Sequence, residues 1–426
     1  MDRSLRVGCI ILAIFSLLFC TLTLMPLPVR AQTVIATIPI GGVPYSVAIS
    51  PNGLYVYVTN IQDDTVSVIS TATNTVTSTI TGFNDLTGVA VTPNGNFVYV
   101  TNGGNGTVSV ISTSTNTVAA TIPIALPGAL AVTPNGKYAY VLSSNNLVSV
   151  ISTATNNVTA ALNLDTNSEN PNAIAVTPDS AYVYVVDANG GISEISTATN
   201  NVTATIPLVI PAGSSLGSSR ADSLAISTNG AYVYVTYPGQ NSISVISTAT
   251  NMVVTNITVG NSPYDLAVSP NGEYVYVTTG NDMSVSVINT TTNTVTATVP
   301  VGSTICGGMA VTPNDMYVYV LCAVPDSYYG ISDGSVSVIN TNAPAPSPTP
   351  TATPVPSPTP TAALSPTPII ATPTATSTPT TTGTPIVAQA PATPVFPTLI
   401  ILPLFAVIML LLTVFIRKRI SKKHKT

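Results

Sequence analysis

The sequence predicts an all-β fold, a seven-bladed β-propeller, on three observations. A hairpin signature recurs seven times: "PNGLYVYVTN" (51–60), "PNGNFVYVTN" (93–102), "PNGKYAYVLS" (134–143), "PDSAYVYVVD" (178–187), "TNGAYVYVTY" (228–237), "PNGEYVYVTT" (270–279) and "PNDMYVYVLC" (313–322), with starts 41 to 50 residues apart. Each copy sits among four short β-branched segments, as in "YDLAVSPNGEYVYVTTGNDMSVSVINTTTNTVTATVPVG" (264–302), and four strands per period of this length are the signature of a propeller blade. Finally, the last repeat lacks its fourth segment, while "TVIATIPIG" (33–41) stands alone at the other end and matches "TVTATVPVG" (294–302). The N-terminal segment therefore supplies the outer strand of blade 7, closing the ring and removing an open sheet edge.

Within a blade the segments are strands a to d. Pro-Asn-Gly turns a into b, and a Thr/Asn-rich turn joins c to d. Strand a carries alanine in every copy (Ala48, Ala90, Ala131, Ala175, Ala225, Ala267 and Ala310), as suits the crowded innermost strand. Strand b carries Tyr57, Tyr99, Tyr140, Tyr184, Tyr234, Tyr276 and Tyr319 in one column. An aromatic present in every blade belongs to blade packing rather than to a cofactor stack. Cys306 and Cys322 flank the last a–b turn at eight residues from Asn314. Facing strand positions lie within disulfide reach, so the pair is expected to form a bridge.

These residues, above all the "YVTN" tetrapeptides at 57–60 and 99–102 with "PNG" and "NTVTATV", resemble the YVTN β-propeller repeat family of surface-layer-type archaeal proteins and bacterial envelope proteins. The resemblance covers 32–342 and implies the propeller fold and a cell-surface setting, with no common catalytic motif. Members of that family usually end strand c with aspartate. Here the position holds Ser70, Ser112, Ser152, Ser196, Ser247, Asn289 and Asn340, so no role passes to it by resemblance.

Outside the propeller, residues 1–31 read as a signal peptide: "MDRSLR", an apolar run, then "VRA" before Gln32. Residues 343–397 hold sixteen prolines, many threonines and no charge, the composition of an extended, disordered Pro/Thr-rich stalk. Residues 398–416 are apolar enough for one C-terminal transmembrane helix, and 417–426 form a basic cytoplasmic tail. The expected location is the cell membrane, single-pass, with the propeller outside.

Charge narrows the function. Between 32 and 397 fifteen acidic residues face only Lys137 and Arg220, which excludes a nucleic-acid surface. The lone histidine is His424, in the tail. The predicted ectodomain thus lacks imidazole for His-ligated metals, CxxCH haem attachment or a Ser-His-Asp triad, and no catalytic residue is assigned.

The loops carry what signal remains. In a propeller the d–a and b–c connections share one face, and the insertions at 163–172, 209–222 and 323–335 all fall there. Asp222, Asp265, Tyr264, Tyr237, Asp326, Tyr328, Tyr329 and Asp333 are the ligand-face candidates on it. Asp222 and Asp265 enter strand a, nearest the axis. The reading is a binding, adhesion or surface-layer structural module whose partner is a cell-envelope protein or glycan. The alternative is an extracellular lactonase-like hydrolase using loop carboxylates near the axis. No cofactor is required, although the acidic loops leave calcium open. Asn105, Asn157, Asn201, Asn256 and Asn289 are N-glycosylation candidates.

Overall fold

In the computed structural model the described residues are 32–164, 171–187, 191–207, 222–302, 305–326 and 330–341, with side chains described for all but 305, 306, 324–326 and 330–333. The signal segment, the stalk, the span at 398–416, the tail, Tyr328 and Tyr329 lie outside the described residues, as do the side chains of Asp326 and Asp333. No helix among the described residues is long and apolar enough to cross a membrane.

The described residues fold into seven four-stranded antiparallel sheets. Blade 1 is representative, with strands a Pro44–Ile49, b Tyr55–Asn60, c Thr65–Ser70 and d Thr75–Ile80. Blades 2 to 6 follow over 86–123, 127–163, 173–206, 224–258 and 263–300. Blade 7 takes a, b and c from Ile305–Val311, Tyr317–Asp326 and Gly330–Asn340, and its outer strand is Thr33–Ile40 from the N-terminus. Thr33 pairs with Asn340 and Ile40 with Gly334, so the orphan segment closes the ring as its sequence requires. The seven a strands contact one another in order, and that of blade 7 returns to that of blade 1.

The core lies between blades. Strand residues alternate faces, so Val56 and Val58 pack toward blade 7 while Tyr57 packs toward blade 2. The same division gives seven apolar clusters, one per joint. All seven tyrosines of the strand b column are buried. At the 2/3, 3/4 and 7/1 joints their hydroxyls also clasp the next blade. Tyr99 donates to Asn156 Oδ1 at 2.5 Å, Tyr140 to Asn200 Oδ1 at 2.7 Å and Tyr319 to Asn74 Oδ1 at 2.7 Å. Each acceptor sits in a c–d turn at positive φ, a conformation asparagine tolerates better than most residues.

Turn chemistry fixes each hairpin. Ser50 Oγ donates to Asn52 Oδ1 and accepts from Tyr55 N, while Gly53, at φ 71°, takes the left-handed position. In strand b the threonine after the tyrosine and valine holds the irregular start of strand a. Thr59, Thr101, Thr236 and Thr278 accept the backbone N–H of Ser46, Gly88, Ser223 and Asp265. Around the axis the strands crowd, and a Cβ on Gly88 would meet the Gly128 carbonyl oxygen at 2.9 Å.

Register places Cys306 opposite Cys322, as the hairpin count predicts. Cys322 is buried, and the side chain of Cys306 lies outside the described residues.

Candidate functional site: an axial funnel

Residues at the start of the a strands, or just before them, build two tiers around the axis. The outer tier is Tyr45, Thr87, Gly128, Asn172, Asp222, Tyr264 and Gly307, and the inner tier is Ser46, Gly88, Ala129, Ala173, Ser223, Asp265 and Gly308. Most are small, which leaves a cavity of about 490 Å³ on the axis. Its walls include Asp85, Gly103, Leu126, Ser144 and Pro171, residues of d–a and b–c loops. The funnel therefore opens on the face that the loop insertions single out.

Three sequence candidates meet in it: Asp222, Asp265 and Tyr264. Asp265 is the most constrained. Its Oδ1 accepts from Ser223 Oγ of blade 5 at 2.6 Å, and its Oδ2 accepts from the Met309 N–H of blade 7 at 2.7 Å. One carboxylate thus ties three blades together at the funnel floor. Desolvation raises its pKa above the ordinary carboxylate value, and the hydrogen bonds from Ser223, Met309 and Leu266 oppose that rise. With both oxygens engaged, Asp265 is placed better to shape the funnel than to attack a substrate.

Tyr45 and Tyr264 flank the Gly307–Gly308 gap of blade 7 and stay 46% and 44% exposed. The funnel's desolvation, then Tyr45, Asp222 and Asp265, push the Tyr264 phenol up to about 12. Desolvation, then Asp85 and Asp222, also raise that of Tyr45. Both phenols stay neutral donors at physiological pH. Lysine and arginine are missing from the described walls, so the funnel offers aromatic surface and carboxylates to hydroxylated or cationic groups.

Tyr237 corrects the sequence reading. It is 3% exposed and belongs to the apolar cluster between blades 4 and 5. It occupies the last strand b column, with Asn60, Asn102, Ser143, Asp187, Thr279 and Cys322, and every member is buried. Tyr45, conversely, escaped the sequence reading. The signal was present, since it shares the outer-tier column with Asp222 and Tyr264.

Other loop acids on this face fasten loops. Asp64 Oδ1 accepts from the Asp85 N–H at 2.6 Å, and Asp187 Oδ1 from the Gly191 N–H at 2.9 Å. Asp282 accepts from the backbone and amide nitrogens of Asn261, which hold its carboxyl below the usual range. Among the described residues no three His, Cys, Asp or Glu side chains gather closely enough to hold a metal ion. Of the glycosylation candidates, Asn105, Asn157, Asn201 and Asn256 are exposed, whereas Asn289 is half-buried and caps its own turn by accepting from Thr291 N and Thr292 N.

Comparisons with known proteins agree with the fold. A family model described as "Lactonase, 7-bladed beta-propeller" matches residues 192–312, from strand c of blade 4 to the end of strand a of blade 7. Among solved structures, the Kuenenia stuttgartiensis hydrazine synthase is similar at 20% sequence identity and a TM-score of 0.59, covering 70% of this chain and 96% of that chain. No curated protein matches.

Proposed function

We propose that the chain is a membrane-anchored cell-surface binding module that engages an envelope protein or glycan through the mouth of its axial funnel. One observation supports this most directly. The funnel opens on the d–a and b–c face and presents two exposed tyrosines beside Asp85 and Asp222, a surface suited to hydrogen bonding and stacking. Strand c of blade 7, the last described strand, ends at Asn340 on the face opposite the funnel. On a cell surface the exposed sequons Asn105, Asn157, Asn201 and Asn256 would carry glycans, and calcium would act by bridging the rim to its partner.

The test is binding of a labelled 32–342 form to isolated envelopes, with and without a calcium chelator. Saturable binding that weakens about tenfold in Tyr264→Ala and Tyr45→Ala would support the reading, since contact aromatics carry much of such interfaces. Binding indifferent to both substitutions, or no binding at all, would overturn it.

A second reading, a lactonase-like hydrolase, draws on the family-model match, which spans Asp222 and Asp265. It predicts lactone hydrolysis that Asp222→Asn abolishes. Its weakness is the engagement of both Asp265 oxygens, which holds that carboxylate as a tie between blades.

A further inference from the structure

Blade 4 departs from the other six at one core position. Strand c holds Val68, Val110, Val150, Val245, Val287 and Val338 in this column, and Glu194 in blade 4. Glu194 is only 7% exposed. A buried carboxylate is costly unless donors surround it, and three do. The Tyr184 hydroxyl donates to Oε2 at 2.6 Å, Thr203 Oγ1 to Oε1 at 2.6 Å and Asn251 Nδ2 to Oε2 at 3.2 Å.

This arrangement breaks the clasp to blade 5. Tyr184 turns its hydroxyl to Glu194, so the Oδ1 of Asn251 is left buried with no donor. Asn116 at the 1/2 joint shares the bare oxygen, but there the neighbouring column position is Val68. Among the described residues, only the 4/5 joint sets a carboxyl group beside an unmet acceptor. The residues Glu194 and Asn251 line a cavity of about 380 Å³, with Asp179, Tyr182, Thr228 and Thr248 among the other walls. The cavity is framed by the a–b turns of blades 4 and 5 and the c–d turn of blade 5, on the face opposite the funnel. Among the described residues no lysine or arginine lines it.

We infer that this interblade cleft binds a primary ammonium group, as carried by a lysine side chain or an amino sugar. One N–H meets the Glu194 carboxylate, Asp179 adds a second carboxylate at the rim, and Tyr182 offers an aromatic wall. The Thr177 hydroxyl and the Ala181 N–H hold the carboxyl of Asp179 below its usual range, so the rim is anionic at neutral pH. A metal ion suits the site less well, because among the described residues no third carboxylate joins these two.

The experiment titrates the purified full-length chain with Nα-acetyl-lysine amide and with glucosamine, using their N-acetylated, uncharged counterparts as controls. Saturable binding of one amine per chain is expected, with the neutral counterparts silent. Glu194→Gln should weaken it about tenfold, the scale of one charge-assisted contact. Glu194→Val should abolish it in a folded protein, since six blades already carry valine there. Whether lysine amide or glucosamine binds identifies the source of the ammonium group. Failure of both amines to bind, or equal binding by the Glu194→Val variant, would overturn the inference.

Discussion

The joints between blades 3 and 4 and between blades 4 and 5 use nearly the same strands and end differently. At the first, Tyr140 clasps Asn200 and the strand c column is valine. At the second, Tyr184 turns back to Glu194 within its own blade, and the facing Asn251 keeps only its amide nitrogen engaged. The 3/4 joint is architecture, repeated at 2/3 and 7/1. In a chain with so few charges, the 4/5 joint spends a buried carboxylate where valine would pack. The contrast teaches that in a repeat protein the columns report the fold, and the single break in a column is where to look for a specific task.

The largest way to break the comparison is to remove a ring. Tyr140→Ala should cost about 3–5 kcal/mol, the usual range for a buried aromatic, read from a denaturant midpoint. Removing only hydroxyls sharpens it. Tyr184→Phe deprives a carboxylate of a donor and should cost about 2–3 kcal/mol, against about 1–2 kcal/mol for Tyr140→Phe, whose acceptor is neutral. Equal costs would deny that the two joints differ.

Glu194→Val should stabilise the propeller by about 1 kcal/mol, because a buried polar group gives way to apolar packing and Tyr184 can then reach Asn251. A lower melting temperature in that variant would show that the carboxylate network supports the joint.

The smallest effect concerns pH at the funnel floor. The folded pKa of Asp265 is raised above 3.8, so the stability from its protonated form is full below that value and is lost as pH rises through the folded pKa. The stability of the wild type relative to Asp265→Asn should therefore fall as pH rises from acid toward neutral. A flat difference would deny the desolvation of this carboxylate.

Much of this was legible in the sequence, for a physical reason. Seven copies average out local noise, so the strands, the alanine and tyrosine columns and the orphan closing strand could be read from spacing alone. Asp222 and Asp265 were recognisable because they enter strand a where other blades place Ser, Gly, Ala or Asn, and Tyr264 as an aromatic on the insertion face. Tyr237 misled because its loop-end position suggests exposure, whereas its column is buried in all seven blades. The consequence of "ISEIS" at 192–196 was hidden for another reason. Its partner Asn251 lies 57 residues away, and only the packing of blade 5 on blade 4 brings them together.

The most direct test of the funnel reading is amide hydrogen exchange of the chain free and bound to isolated envelopes. Binding through the funnel predicts new protection at 84–88, 44–47 and 264–266, with the a–b turns at 178–181 and 228–231 unchanged. Protection confined to those turns, or none anywhere, would contradict a partner seated on the d–a and b–c face.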